Sequence, residues 1–116
     1  MATASAPRDV WHLDRLDDWD RVLDRVRFSS DWNAPFLAGE IRPAAPEDPP
    51  RVLRHWGGPV LIAHGVHDMT FPASLARRLH AEVPGSTLAL VPDAAHMAHF
   101  DNPTAWLTAA RTFLTR

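Results

Sequence analysis

Two short and largely apolar runs stand out in the second half of the chain, at residues 60–64 and 87–91. A strand that is buried on both faces has such a run, whereas a strand with one solvated face alternates apolar and polar residues. Because strands buried on both faces are typical of parallel sheets, we expect these two strands to be adjacent and parallel. The pattern therefore predicts an α/β fold class.

Helical periodicity surrounds the two strands. A helix over residues 73–83 follows Pro72 and ends at Pro84-Gly85, and another over 103–115 begins after Asn102. The second half of the chain thus reads β-α-β-α, with helices covering the sheet. The side chains expected to be buried are Leu75, Ala76, Leu79 and Val83 in the first helix, and Trp106, Ala110, Phe113 and Leu114 in the second.

The first half of the chain is less regular. Residues 1–10 are expected to be frayed, and residues 29–48, rich in proline, to form an irregular connection. A short helix over 50–56 is predicted between the cap Asp48 and the stop at Gly57. One amphipathic helix is predicted between residues 12 and 28, because apolar residues recur there every three or four positions: Leu13, Leu16, Trp19, Leu23 and Val26.

Composition narrows the class of protein. At 116 residues and a net charge of −2, one small domain is expected, without the basic surface that binds nucleic acid. No apolar run is long enough to span a membrane, and the first residues lack the apolar core of a signal peptide. No cysteine is present, so a disulfide framework and a thiol nucleophile are both excluded. We expect a cytoplasmic protein without nucleic-acid or membrane partners.

The chemistry-bearing residues follow the two strands. Asp68 comes after the first strand and His96 after the second, and open α/β sheets bind their ligands at the carboxyl ends of parallel strands. Either residue alone is explained more simply, Asp68 as a helix cap or a solvated charge and His96 as a structural histidine. Together they could form a hydrogen-bonded acid–imidazole pair, with His67 and His99 as less buried neighbours.

A metal site is the competing interpretation of the same loops. Five potential ligands lie there, but none belongs to a compact zinc motif such as His-Glu-x-x-His. We therefore expect neither a metal nor another cofactor. The potential ligands are His64, His67, Asp68, His96 and His99.

Residues 59–72 (PVLIAHGVHDMTFP) and 91–103 (VPDAAHMAHFDNP) resemble the carboxy-terminal part of an α/β-hydrolase. The resemblance implies a partial α/β-hydrolase fold with residues 58–116 as its core and 1–57 as a lid-like helical and irregular segment. It implies that Asp68 is the triad acid, that His96 is the triad base, and that the reaction is hydrolysis of an ester, amide or related acyl group. The apolar side chains beside these two residues, Met69, Phe71 and Met97, are then expected to contact a small-molecule substrate.

The chain departs from that family in its nucleophile. No Gly-x-Ser-x-Gly sequence is present, the earlier serines lack flanking glycines and a preceding buried strand, and the later ones follow Asp68 in the chain. One hypothesis is the acid–histidine half of a hydrolase that is truncated or depends on a missing segment. The other is a non-catalytic or proton-shuttling module that binds a small molecule. The serines are Ser5, Ser29, Ser30, Ser74 and Ser86.

The small predicted sheet has a consequence for association. A two-stranded sheet exposes the backbone of residues 60–63 as a template for pairing with another chain, so a homo-oligomer is expected through this edge. The alternative is that residues 29–47 fold back and cover the edge with Phe36, Leu37 and Ile41.

Overall fold

The sheet is the centre of the fold. A computed structural model describes residues 6–41 and 45–116, the side chains of residues 6 and 7 excepted. Strand β1 (Leu61–Gly65) pairs in parallel with β2 (Thr87–Val91), with Leu61 opposite Thr87 and Gly65 opposite Val91. This confirms the predicted adjacency and direction. Within the described residues the sheet has these two strands, and the molecule is of the α/β class.

Two helices pack against the sheet, as predicted. Helix α5 (Ala73–Glu82) and helix α7 (Pro103–Leu114) both contact β1 and β2. Ala76 and Val83 are buried as expected, but Leu75 and Leu114 are 48% and 78% exposed, so those two expectations were wrong. A two-stranded sheet is too narrow to cover the whole apolar stripe of its helices.

The helix before β1 begins and ends on its predicted signals. Helix α4 (Pro49–Trp56) has Asp48 as its N-cap, whose side chain accepts a hydrogen bond from the Arg51 backbone N–H at 3.0 Å. It ends at Gly57, which has a left-handed backbone with φ of 68°.

The start of the chain differs from the prediction. A short helix, α1 (Ala6–Asp9), leads to Val10, which is 2% exposed, so this part is not frayed; residues 1–5 lie outside the described residues. The predicted helix over 12–28 is instead a 3₁₀ turn (Leu13–Arg15) followed by α2 (Leu16–Leu23). Only the middle of its apolar stripe has a packing partner. Trp19 is buried, whereas Val26 is 47% exposed, and a helix without packing at its end is not maintained.

The connection over residues 29–48 contains a helix that the sequence analysis missed, α3 (Asn33–Leu37). Pro35 suggested a loop, but it lies in the first turn, where no N–H is needed for the helical hydrogen bonds. The covering alternative was wrong for the described part of this segment. The exposed fractions are 59% for Phe36, 83% for Leu37 and 43% for Ile41. Residues 42–44 are not among the residues that the structure describes.

Two buried clusters form the core. One is built on Val91, Ala94 and Ala98, between β2 and the helices that follow it. The other is built on Val10 and Trp19, and Met97 and Phe100 pack against it from the far end of the chain. This second cluster therefore joins the first segment of the chain to the loop that carries His96. Helix α6 (Ala98–Asp101) continues from that loop. No helix in the described ranges is long and apolar enough to cross a bilayer.

Candidate functional site

The loops that follow β1 and β2 are bound to each other through their backbones. The N–H of Val66 donates to the carbonyl of Val91 at 3.0 Å, and the N–H of His67 donates to that of Ala94 at 2.9 Å. Gly65 makes this approach possible. A Cβ at this position would overlap the carbonyl oxygen of Ala95 and lie 2.6 Å from that of Ala94. The chain therefore brings the Asp68 and His96 loops together at the carboxyl end of the sheet.

Asp68 and His96 form the predicted hydrogen bond. Nδ1 of His96 lies 2.9 Å from Oδ2 of Asp68, whose side chain is 4% exposed. The other carboxylate oxygen accepts the backbone N–H groups of Thr70 at 2.8 Å and Phe71 at 2.9 Å. The carboxylate is thus held in one orientation by its own loop while it contacts the imidazole.

The surroundings of Asp68 favour its ionised form. Burial raises the pKa of this carboxyl. The hydrogen bonds from the N–H of Phe71, from His96 and from the N–H of Thr70 together lower the pKa by more than burial raises it, so the pKa lies below its ordinary value. An ionised carboxylate only accepts hydrogen bonds, so the proton of the contact belongs to Nδ1 of His96. In the neutral imidazole, Nε2 is then the nitrogen that can accept a proton, and it has no hydrogen-bond partner in residues 6–41 and 45–116.

The other histidines of the two loops have different environments. Nε2 of His64 donates to the carbonyl of Phe71 at 2.7 Å and lies 3.6 Å from Oδ2 of Asp68. The His67 ring stacks on Trp11, and His99 is exposed beside Trp106. His99 is therefore less buried than His96, as predicted, whereas His67 and His96 are both partly buried. No three of the metal-binding side chains in the described part of the chain come together to hold an ion.

A cavity of about 420 Å³ lies beside the Asp68–His96 pair. Its walls come from β1, α5, α6, α7 and the loops between them, and its volume is within the range of about 300–1,000 Å³ that is usual for small-molecule sites. Of the predicted substrate contacts, Phe71 lines the cavity. Met69 is 68% exposed and Met97 packs in the Trp19 cluster, and neither borders the cavity. The remaining lining residues are Ile62, Ala63, His64, Gly65, Asp68, Leu75, Ala76, Leu79, His96, Ala98, His99 and Trp106.

No serine borders this cavity in the part of the chain that the structure describes. Ser86 contacts His80, with Oγ 2.8 Å from Nδ1, and Ser74 is exposed on α5. Ser29 and Ser30 are exposed before α3. The described site therefore has an acid and a base, and no serine among the residues that line its cavity.

Sequence reasoning missed a second buried carboxylate. Asp101 is 5% exposed, and it accepts the backbone N–H of Ala95 at 2.8 Å and that of Trp11 at 3.0 Å. Asp101 lies five residues after His96 and two residues before the predicted last helix. An acidic residue within an otherwise apolar stretch is a signal that could have identified Asp101 as buried. Nothing in the sequence around Trp11 indicates that its backbone N–H is the partner.

No family model matches the chain, and neither a curated protein nor a solved structure gives a match. The functional interpretation therefore depends on the geometry of the pair, the cavity and the loops that hold them.

Proposed function

We propose that this chain carries the acid–base half of an α/β-hydrolase-type site, with Asp68 orienting His96 and His96 acting as the general base. The single observation that supports this most strongly is the 2.9 Å contact between Oδ2 of Asp68 and Nδ1 of His96 beside a small-molecule cavity. The parallel strands that carry the two residues agree with a partial α/β-hydrolase fold.

In the proposed reaction, the hydroxyl nucleophile comes from a segment outside residues 1–116. Nε2 of His96 takes the hydroxyl proton as the oxygen attacks the acyl carbonyl of an ester or amide. The imidazolium, stabilised by the Asp68 carboxylate, then returns the proton to the leaving alcohol or amine as the tetrahedral intermediate breaks down. Water repeats the same steps to release the acid, and His96 ends as it began.

The proposal is tested by supplying the missing hydroxyl as a small molecule. The purified chain is mixed with p-nitrophenyl acetate and N-acetylserinamide, and the O-acetylated product is quantified by mass spectrometry. A positioned general base contributes about 10²–10⁴-fold, so the wild-type chain should exceed the same reaction without protein by about 10²-fold. The rate should also saturate with ester concentration, because the cavity binds the ester.

Three variants make this test specific. His96→Gln should lower the rate to that of the uncatalysed reaction, and Asp68→Asn should lower it strongly by removing the group that orients the ring. His55→Gln is the matched control, because His55 is exposed on α4 and does not line the cavity, and it should retain the wild-type rate. A wild-type rate in His96→Gln, or an equal loss in His55→Gln, would contradict the proposal.

A second candidate function has one observation in its favour, the lack of a serine at the cavity within the described residues. In this alternative, the chain binds a small molecule and the pair transfers a proton to or from it. The same experiment separates the two functions. Saturable binding of the ester without formation of N,O-diacetylserinamide would favour the binding module.

A further inference from the structure

The segment that precedes α2 crosses both loops of the site. The Trp11 indole stacks on the His67 ring, with ring centroids 3.7 Å apart and an angle of 12° between the planes. The carbonyl of Asp9 accepts the backbone N–H of Met97 at 2.7 Å. His67 and Met97 are the sequence neighbours of Asp68 and His96, so this one segment contacts the chain beside each member of the pair.

Asp101 completes the connection on the His96 side. One carboxylate oxygen accepts the N–H of Ala95 at 2.8 Å, and both oxygens lie 3.0 Å from the N–H of Trp11. No cation is paired with this carboxylate in the described ranges, so backbone N–H groups solvate its charge. Hydrogen bonds to an ionised acceptor are about twice as strong as neutral ones. The carboxylate therefore fastens the residue before His96 to the residue that stacks beside Asp68.

We propose that Trp11 and Asp101 are positioning residues that hold the Asp68 and His96 loops in register, and we call these two residues the clamp. The His96 side chain is 32% exposed, so packing restrains only part of it, and the position of its ring depends on the loop backbone at Ala95. A displacement of less than 1 Å would lengthen the 2.9 Å contact to Asp68 beyond hydrogen-bonding distance. Without the clamp, the two loops still follow a pair of hydrogen-bonded strands, but their positions relative to each other lose this restraint.

The clamp makes a prediction that a merely stabilising role would not make. Its loss should affect the Nδ1 proton of His96 more than the amide protons of β2, because the strands remain paired. This inference concerns the geometry of the pair and not the acyl transfer proposed above. Its test therefore uses a readout that remains valid if the acyl transfer fails.

The experiment measures, by NMR, the solvent exchange of the His96 Nδ1 proton and of the β2 amides in the full chain. Trp11→Ala removes the stacked ring, and Asp101→Asn removes the charge that binds the Ala95 N–H. In each, we expect Nδ1 exchange to be faster by about tenfold, which corresponds to the loss of about 1.4 kcal/mol, with β2 amides changed less than twofold. Trp11→Phe keeps a ring over His67 and should restore most of the protection.

Trp56→Ala is the control, since Trp56 is 62% exposed on α4. It should leave the Nδ1 proton unchanged. The proposal is overturned if Trp11→Ala and Asp101→Asn exchange like the wild type, if Nδ1 and β2 protons accelerate equally, or if Trp11→Phe behaves as Trp11→Ala. If Trp11→Ala does not fold, the comparison of Asp101→Asn with Trp11→Phe decides by the same criteria.

Discussion

Replacing Gly65 with alanine should destabilise the fold and separate the two loops of the site. The added Cβ would overlap the Ala95 carbonyl oxygen and lie 2.6 Å from the Ala94 oxygen, below the 3.0 Å at which a neighbour must move. Both obstacles are backbone atoms within a buried stretch, so no flexible side chain can move aside. The loops must instead separate by about 1 Å.

The expected cost is at the upper end of overpacking, about 3 kcal/mol. For a domain of this size, that corresponds to a fall in Tm of about 12 °C. A separation of about 1 Å would also break the 2.9 Å contact between Asp68 and His96. Loss of stability and loss of the protected His96 Nδ1 proton should therefore appear in the same variant.

Gly57→Ala is the matched control for this prediction. Gly57 has a left-handed φ of 68° with nothing within 4 Å of the position that a Cβ would occupy, so alanine there adds backbone strain of about 1 kcal/mol without overlap. Urea unfolding followed by circular dichroism gives the free energies of unfolding, and NMR detects the Nδ1 proton. The reasoning is refuted if Gly65→Ala is no less stable than Gly57→Ala and retains that proton.

Three further outcomes are expected. Asp68→Asn should cost about 2 kcal/mol in urea unfolding at pH 7, and this cost should shrink as the pH is lowered below about 3.9. The fold lowers the pKa of Asp68, so its stabilisation is complete above the ordinary carboxyl pKa and is lost as pH falls through the native pKa. A cost that does not change between pH 7 and acid pH would contradict this. A fluorophosphonate probe should label no serine of the isolated chain, because none borders the cavity in the described residues, and a labelled peptide in mass spectrometry would reveal a missed nucleophile. Sedimentation should show concentration-dependent association at micromolar protein. The Thr87 to Val60 and Val66 to Val91 hydrogen bonds place the backbone N–H of the alternate residue Ala63 on the side of β1 away from β2, where it can pair with another chain. Ala63→Pro should abolish that association without breaking the sheet, and a wild-type monomer at every concentration would contradict the prediction.

Local patterns were sufficient for the sheet, its helices and the central pair. The strands were predictable because their apolar runs are continuous, and α4 was predictable because Asp48 and Gly57 satisfy its ends through neighbouring atoms. The contact between Asp68 and His96 followed from topology, since residues at the carboxyl ends of adjacent parallel strands meet at one edge. Each of these features depends on short-range chemistry or on one pairing of two strands.

Burial was less predictable than secondary structure. An apolar stripe indicates which face of a helix can be buried, but only the assembled fold shows how much of it finds a partner. Leu75 and Leu114 lie on such stripes and are exposed because the described sheet is narrow, and Val26, which lies beyond the end of α2, is also exposed.

The sequence by itself determined the α/β character, the order of β1, α5, β2 and α7, and the two residues that form the acid–imidazole pair. Only the tertiary structure decided how that pair is held. Trp11 and Asp101 are 90 positions apart, and no local sequence pattern at either residue predicts contact with the other. Periodicity and caps report interactions within a few residues. A hydrogen bond between residues 90 positions apart depends on how the strands, the helices and both loops are arranged in space, which no local pattern reports.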